Sequence, residues 1–250
     1  MISLSQREVD AIGLDNARDM VDNYCEEYGA EMYLNLDHSP SVESAKAGID
    51  AGFEFIHIDI SQKVNEASLD EIISGTKEIT EYAKFTGAII EAEPHYFMGS
   101  SNFHDEEIDY ESVKETFSTP EQAKEFSEAT GIDIFAASIG NLHGKYAVPK
   151  KLDLKLLTEI REALPSKVGI SLHGGSGTSE YYFKEASRLG IMKININSDL
   201  RIAFRQNLER VLVENPNEYA VLKLMPEVYD AISKVVEAKI KCFGSSDRAI

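Results

Sequence analysis

Short runs of β-branched and aliphatic residues alternate with amphipathic segments along the whole chain. Strands are expected over Ile2–Leu4, Met32–Leu36, Phe55–Asp59, Ala88–Glu93, Asp133–Ser138, Val168–His173 and Met192–Asn197. Helices are expected between them, and local chemistry marks their ends. Ser39-Pro40 reads as an N-cap followed by proline at the first helical position, with Val42, Ala45 and Ile49 as the buried face and Gly52 as the stop. Ser68 with Glu71 three residues on reads as a capping box for a helix that ends before Gly87. Thr119-Pro120 with Gln122 repeats the signal, and Gly131 closes that helix. Further helices are expected over Leu14–Tyr28, Asp153–Leu164, Thr178–Leu189, Asp199–Val213 and Glu227–Ile240.

Strand–helix alternation of this regularity implies right-handed parallel βαβ units. No GxGxxG or P-loop follows any strand, so a (β/α)8 TIM barrel is expected rather than an open doubly wound sheet. No linker breaks the pattern. Residues 1–250 are read as a single β/α-barrel domain with a helical tail from about residue 217. Seven strand candidates are found where a barrel needs eight, so the first β/α unit is expected to be missing and the flanking strands, near Leu4 and Met192–Asn197, to be unpaired, closed on each other or covered by the last helix.

Composition narrows the function. The 43 acidic residues outnumber 25 basic ones, and the net charge of -18 argues against nucleic-acid backbones and anionic membranes as partners. Cys25 and Cys242 form no CxxC, so a thiolate metal site and a disulfide framework are not expected. With no apolar run of membrane-spanning length and no signal segment, a cytoplasmic location is expected.

The strand ends carry the chemistry. Period-two alternation puts Asn35 with Asp37, His57 with Asp59, Glu91 with Glu93, Ser171 with His173, and Asn195 with Asn197 on single strand faces. Polar pairs stacked at one mouth of a barrel describe an active site. His38, His143 and His173 end three different strands. One such histidine is more often a hydrogen-bonding strand cap than a ligand, but three at one end beside carboxylates suit zinc, whose catalytic sites use three protein ligands and keep one open position. His173-Gly-Gly-Ser-Gly177 precedes a helix and offers backbone N–H groups to a phosphate. Lys193 could form a Schiff base or pair with a buried carboxylate; the pairing is the expected role.

These segments resemble the class II fructose-bisphosphate/tagatose-bisphosphate aldolase family. The resemblance rests on Leu34-Asn-Leu-Asp-His38, Phe55-Ile-His-Ile-Asp-Ile-Ser61, Ile90-Glu-Ala-Glu93, Ala136 to Tyr146, the His173–Gly177 run, Lys193–Arg201 and the ending Cys242-Phe-Gly-Ser-Ser246. It implies a zinc-dependent cleavage of a ketose 1,6-bisphosphate, fructose first among them, to dihydroxyacetone phosphate and glyceraldehyde 3-phosphate, in a homo-oligomer (dimer or tetramer). It assigns His38, His143 and His173 as zinc ligands, with Asp59 and Glu93 holding the metal in a more buried position. It makes Asp37 the acid/base at the hydroxyl beside the broken bond. Gly144, Gly174, Ser176, Asn195, Asn197 and Ser198 would serve the substrate phosphate, with a monovalent cation (sodium or potassium) bound by backbone carbonyls nearby, and Arg201 would meet the far phosphate. The family's mobile carboxylate has no clear counterpart, because Glu93 is followed by Pro-His-Tyr-Phe-Met rather than a glycine-rich loop; Glu106 is the candidate, with Asp105 and Glu107 as neighbours. His57 and His95 are further departures. Two alternatives stand beside this reading: a Schiff-base aldolase acting through Lys193, and a non-catalytic zinc or sugar-phosphate binder.

Overall fold

The computed structural model describes residues 1–62, 67–95, 99–104, 108 and 110–246. The strands are β1 (Ile2–Ser5), β2 (Leu34–Ser39), β3 (Phe55–Ile58), β4 (Ile89–Ala92), β5 (Gly99–His104), β6 (Ile134–Ala136), β7 (His143–Tyr146), β8 (Gly169–Leu172) and β9 (Ile191–Ile194). Seven of them form one parallel sheet in the order β1-β2-β3-β4-β6-β8-β9, and β5 pairs with β7 in a separate parallel ribbon. The helices are α1 (Gln6–Ile12), α2 (Leu14–Tyr28), α3 (Val42–Asp50), α4 (Leu69–Ala83), α5 (Tyr110–Lys114), α6 (Pro120–Thr130), α7 (Leu154–Ala163), α8 (Glu180–Arg188), α9 (Ser198–Glu214) and α10 (Val221–Cys242).

The sheet curls. β2 and β9 stand five places apart in strand order, yet Asn195, just past β9, donates to Asp37 of β2 at 2.9 Å. Among the described residues β1 and β9 do not pair with each other, so the fold is a β/α barrel of seven strands with one unit missing, as expected. Arg201 on α9 lies 3.4 Å from Glu8 on α1, which links the helices beyond the two ends of the sheet.

Alternation divides the strand residues between two environments. Leu36 and Ile56 face α3, where a Cβ on Gly48 would come within 2.8 Å of Leu36 and 3.0 Å of Ile56. Leu34, Ile58, Ile90, Ala92, Ile170 and Leu172 are buried in the same apolar layer between sheet and helices. The interleaved Asn35, His57, Glu91, Ser171 and Lys193 are also buried, inside the curl. Burial of so many polar groups is tolerable only where each finds partners.

Helix punctuation follows most of the sequence signals, although α10 starts at Val221 rather than near Glu227. Capping boxes open α4 at Ser68 and α6 at Thr119, and Gly131 ends α6 in the left-handed conformation. α3, however, begins two residues later than expected. Ser39 still belongs to β2, and it is Ser41 whose hydroxyl accepts from the Ser44 N–H at 3.2 Å. α10 packs on α9 through Val211, Leu224 and Val228, and no helix among the described residues is long and apolar enough to cross a membrane.

Candidate active site

The site begins with an irregularity in β2. In a regular strand His38 would face away from Asp37. The β2–β3 register slips between Leu36 and Ser39, and His38 adopts φ +52°, the one non-glycine in the left-handed region among the described residues. Such a conformation costs on the order of 1–3 kcal/mol and persists only where the surroundings hold it. Here it turns both Asp37 and His38 toward the mouth, with the His38 ring centroid 4.3 Å from that of His57 and 4.7 Å from that of His173.

Two donor groups result. Ligand atoms of Asp37, His38, His57 and His173 lie within 4.8 Å of one another, as do those of His38, Asp59 and Glu93. His143, at the start of β7, stands beside them, its ring centroid 5.1 Å from that of His38 and 6.2 Å from that of His173. His38 Nδ1 donates to Asp59 Oδ2 at 2.6 Å, so in the neutral imidazole it is Nε2 that carries the lone pair. That Nε2 and the Oε1 of Glu93 are buried with no hydrogen-bond partner. Unserved buried polar atoms are costly, and a divalent cation bound to the neutral form of His38 would satisfy both. The donor set of imidazoles and carboxylates fits zinc.

Electrostatics agree. Burial and the neighbouring His38 and His173 push His143 down to about 3, and burial with the His57 charge takes His173 to about 4, so both are neutral imidazoles at neutral pH. Burial, reinforced by the Asp59 charge, lifts Glu93 to about 7. Burial opposes ionisation of Asp37, but its hydrogen bond with His57 and the nearby His38 and Lys193 outweigh it and hold the carboxyl well below the usual range. Asp37 is therefore an ionised, partly exposed carboxylate, the state of a group that accepts a proton.

Deeper in the curl, Glu91 is the hub. It accepts from the Ser171 hydroxyl, from His173 Nε2 at 2.7 Å and from the Lys193 ammonium. Lys193 thus takes the paired role expected of it rather than lying free as an amine. His57 bonds Glu93 through Nε2 and lies 3.5 Å from Asp37 through Nδ1, tying the two donor groups together. The contact shown for His95 lies outside this cluster: its Nε2–H donates to the Thr116 carbonyl at 2.9 Å.

The expected phosphate loop joins β8 to α8 and lies against the start of α9. Gly174 has φ +61°, and a Cβ there would lie 2.2 Å from the Leu142 carbonyl; one on Gly175 would lie 2.9 Å from that of Asn195. Only glycine lets these loops approach so closely. Ser176 is buried and its hydroxyl accepts from the Asp199 N–H at 3.1 Å, and Asn197 and Ser198 open α9. Gly144 (φ +93°) flanks the loop from β7. Arg201 is half-exposed on the first turns of α9. Glu106, Asp105 and Glu107 lie outside the described residues.

Sequence reasoning gave no role to Lys150. Its Nζ, fully buried, donates to the carbonyls of Leu142, Gly144, Gly174 and Ser176, the last two at 2.7 Å. The carbonyls in the region expected to bind a monovalent cation are occupied by this ammonium. Nothing in the run Val148-Pro-Lys-Lys151 signals it, because the acceptors come from two distant loops.

Comparison with known proteins agrees with this geometry. Residues 1–248 match the family model for class II fructose-bisphosphate aldolase. The chain is 33% identical over 216 residues to a fructose-bisphosphate aldolase of Geobacillus stearothermophilus, covering 86% of this chain and 71% of that one. It is 28% identical over 249 residues to a sulfofructosephosphate aldolase of Alkalicoccus urumqiensis, covering 100% and 83%. The crystal structure of the YdjI aldolase from Escherichia coli K12 superimposes with a TM-score of 0.76 at 28% identity, over 100% of this chain and 82% of that chain. The family match over residues 1–248, on a curled parallel sheet with a histidine–carboxylate cluster at its mouth, shows that this chain belongs to the class II fructose-bisphosphate aldolase family.

Proposed function

We propose that the chain catalyses the reversible, zinc-dependent aldol cleavage of a ketose 1,6-bisphosphate, with fructose as the sugar, to dihydroxyacetone phosphate and glyceraldehyde 3-phosphate. The observation that carries the reading is the buried, unpartnered pair of His38 Nε2 and Glu93 Oε1 beside Asp59, His143 and His173. His38, His143 and His173 would hold the metal, with Asp59 and Glu93 serving a more buried position. The ion supplies Lewis acidity toward the ketone oxygen.

The protein's own groups do the rest. Asp37 accepts the proton of the C4 hydroxyl as the C3–C4 bond breaks and returns it in condensation, while C3 of the dihydroxyacetone half takes its proton from a second acid, for which Glu106 is the candidate in the sequence. Asn195 and Asn35 hold the Asp37 carboxylate in place, at 2.9 and 3.4 Å. Gly144, Gly174, Ser176, Asn195, Asn197 and Ser198 bind the phosphate of the dihydroxyacetone half at the start of α9, where helix N–H groups favour an anion. Arg201 meets the far anionic group. Binding at the two ends fixes the reacting carbons between them. The Schiff-base alternative is disfavoured by the engagement of Lys193 with Glu91. The relative named for sulfofructosephosphate favours testing a sugar phosphate with a sulfonate at the far end as a second substrate. Product formation measured on fructose 1,6-bisphosphate, its tagatose epimer and that sulfonate tests the reading; absence of cleavage on all three by zinc-loaded protein would leave the non-catalytic binder.

A further inference from the structure

Lys150 is a buried lysine held by main-chain carbonyls. Among the described residues no acidic side chain pairs with its ammonium, and Asp199 acts on it only through space. Burial, aided by the Lys239 charge and only partly opposed by Asp199, pulls its pKa down to about 7, and a buried charge is expensive. What offsets the cost is a shell of four backbone carbonyls, two at the start of β7 (Leu142, Gly144) and two from the loop after β8 (Gly174, Ser176), with the Tyr146 ring 5.7 Å away. An ammonium has three hydrogens. The shell has four acceptors, so it is shaped around a point charge rather than around three directed donors. Converging backbone carbonyls are the arrangement with which proteins replace the hydration shell of a monovalent metal ion. The backbone of Lys150 is itself fixed, by a β-bridge to Thr178 at the end of the same glycine loop.

We propose that Lys150 is a built-in cation: its ammonium fills a four-carbonyl cage in place of free sodium or potassium and locks the two phosphate-binding loops in register. Each peptide unit is planar and trans, so a carbonyl drawn inward to Nζ sends its N–H to the opposite side of the loop. Lys150 is a positioning residue, acting on substrate through these loops. The idea rests on the reading of the Gly174–Gly177 loop as a phosphate cradle only for its effect on affinity; occupancy of the cage is a separate matter.

The test uses the whole protein with tetramethylammonium, too large for the cage, as the sole monovalent cation. Melting temperature and the affinity for inorganic phosphate are then measured with and without saturating potassium, sodium or ammonium. For the wild type neither quantity should change by more than about twofold in affinity terms. Lys150→Ala should bind phosphate about tenfold more weakly, and potassium or ammonium should raise its melting temperature and restore most of the affinity. Lys150→Met, which keeps the bulk without the charge, should show the loss without the rescue. A wild type that needs sodium or potassium, or a Lys150→Ala variant whose melting temperature ignores potassium, overturns the built-in cation. Should neither variant fold, the wild-type cation titration decides alone. A wild type that binds no phosphate refutes the cradle, while the potassium effect on Lys150→Ala melting still decides the cage.

Discussion

His38 and Asp59 meet through a single 2.6 Å hydrogen bond from Nδ1 to a carboxylate oxygen, and that bond fixes which nitrogen of His38 faces the mouth. Burial and His57 resist a charge on His38, but Asp59, Asp37 and Glu93 outweigh them and raise its pKa. Metal binding must therefore displace a proton, and affinity should fall as pH drops through that raised value.

Asp59→Asn should weaken zinc binding about 10–100-fold, the usual effect of removing a carboxylate that orients a ligating histidine. Metal content after dialysis against graded chelator checks it. Unchanged affinity would mean that Asp59 neither orients His38 nor holds the ion.

Asp37→Ala should retain metal and lose roughly 10²–10⁴-fold in turnover, the range for a general acid/base. Metal analysis and steady-state kinetics on one preparation separate the two effects. Near-normal turnover would contradict the role of Asp37 in moving the proton.

Glu91→Gln should destabilise the fold by roughly 3–5 kcal/mol, because it strands the buried Lys193 ammonium and disturbs His173. Denaturant unfolding of metal-free protein measures it. A loss within about 0.5 kcal/mol, as for a surface change, would show that the Glu91 hub is dispensable.

Arg201→Ala should raise KM for a bisphosphate far more than for a monophosphorylated ketose, since arginine serves phosphate by paired charge-assisted bonds. In the free protein Arg201 rests near Glu8, an exposed contact of little energetic weight. Equal effects on both substrates would make Arg201 a helix-face residue only.

The order of elements was legible because its signals are local: the Ser68–Glu71 and Thr119–Gln122 caps, Gly131, and the alternation that puts Asn35, His57, Glu91 and Ser171 on one face. The start of α3 was misplaced because Ser39 and Ser41 are equally good caps, and only the irregular turn at His38 keeps Ser39 in the strand. The same turn brings His38 beside Asp37, where simple alternation would part them. The β5–β7 ribbon escaped notice because Gly-Ser-Ser-Asn-Phe-His has no apolar alternation. Lys150 was illegible for a different reason. Its partners are main-chain carbonyls, which no sequence pattern marks.

If a metal held by His38, His143 and His173 drives aldol cleavage, removing it should stop the reaction without unfolding the protein. Cleavage of fructose 1,6-bisphosphate is followed before chelation, after EDTA and after zinc is restored, with folding monitored by circular dichroism. Chelation should cause a roughly hundredfold or larger fall, about 3 kcal/mol of lost transition-state stabilisation, in protein that stays folded, and zinc should restore the rate. Folded, metal-stripped protein that cleaves at its original rate, or is inactivated by borohydride trapping of substrate on Lys193, would contradict a metal-driven reaction.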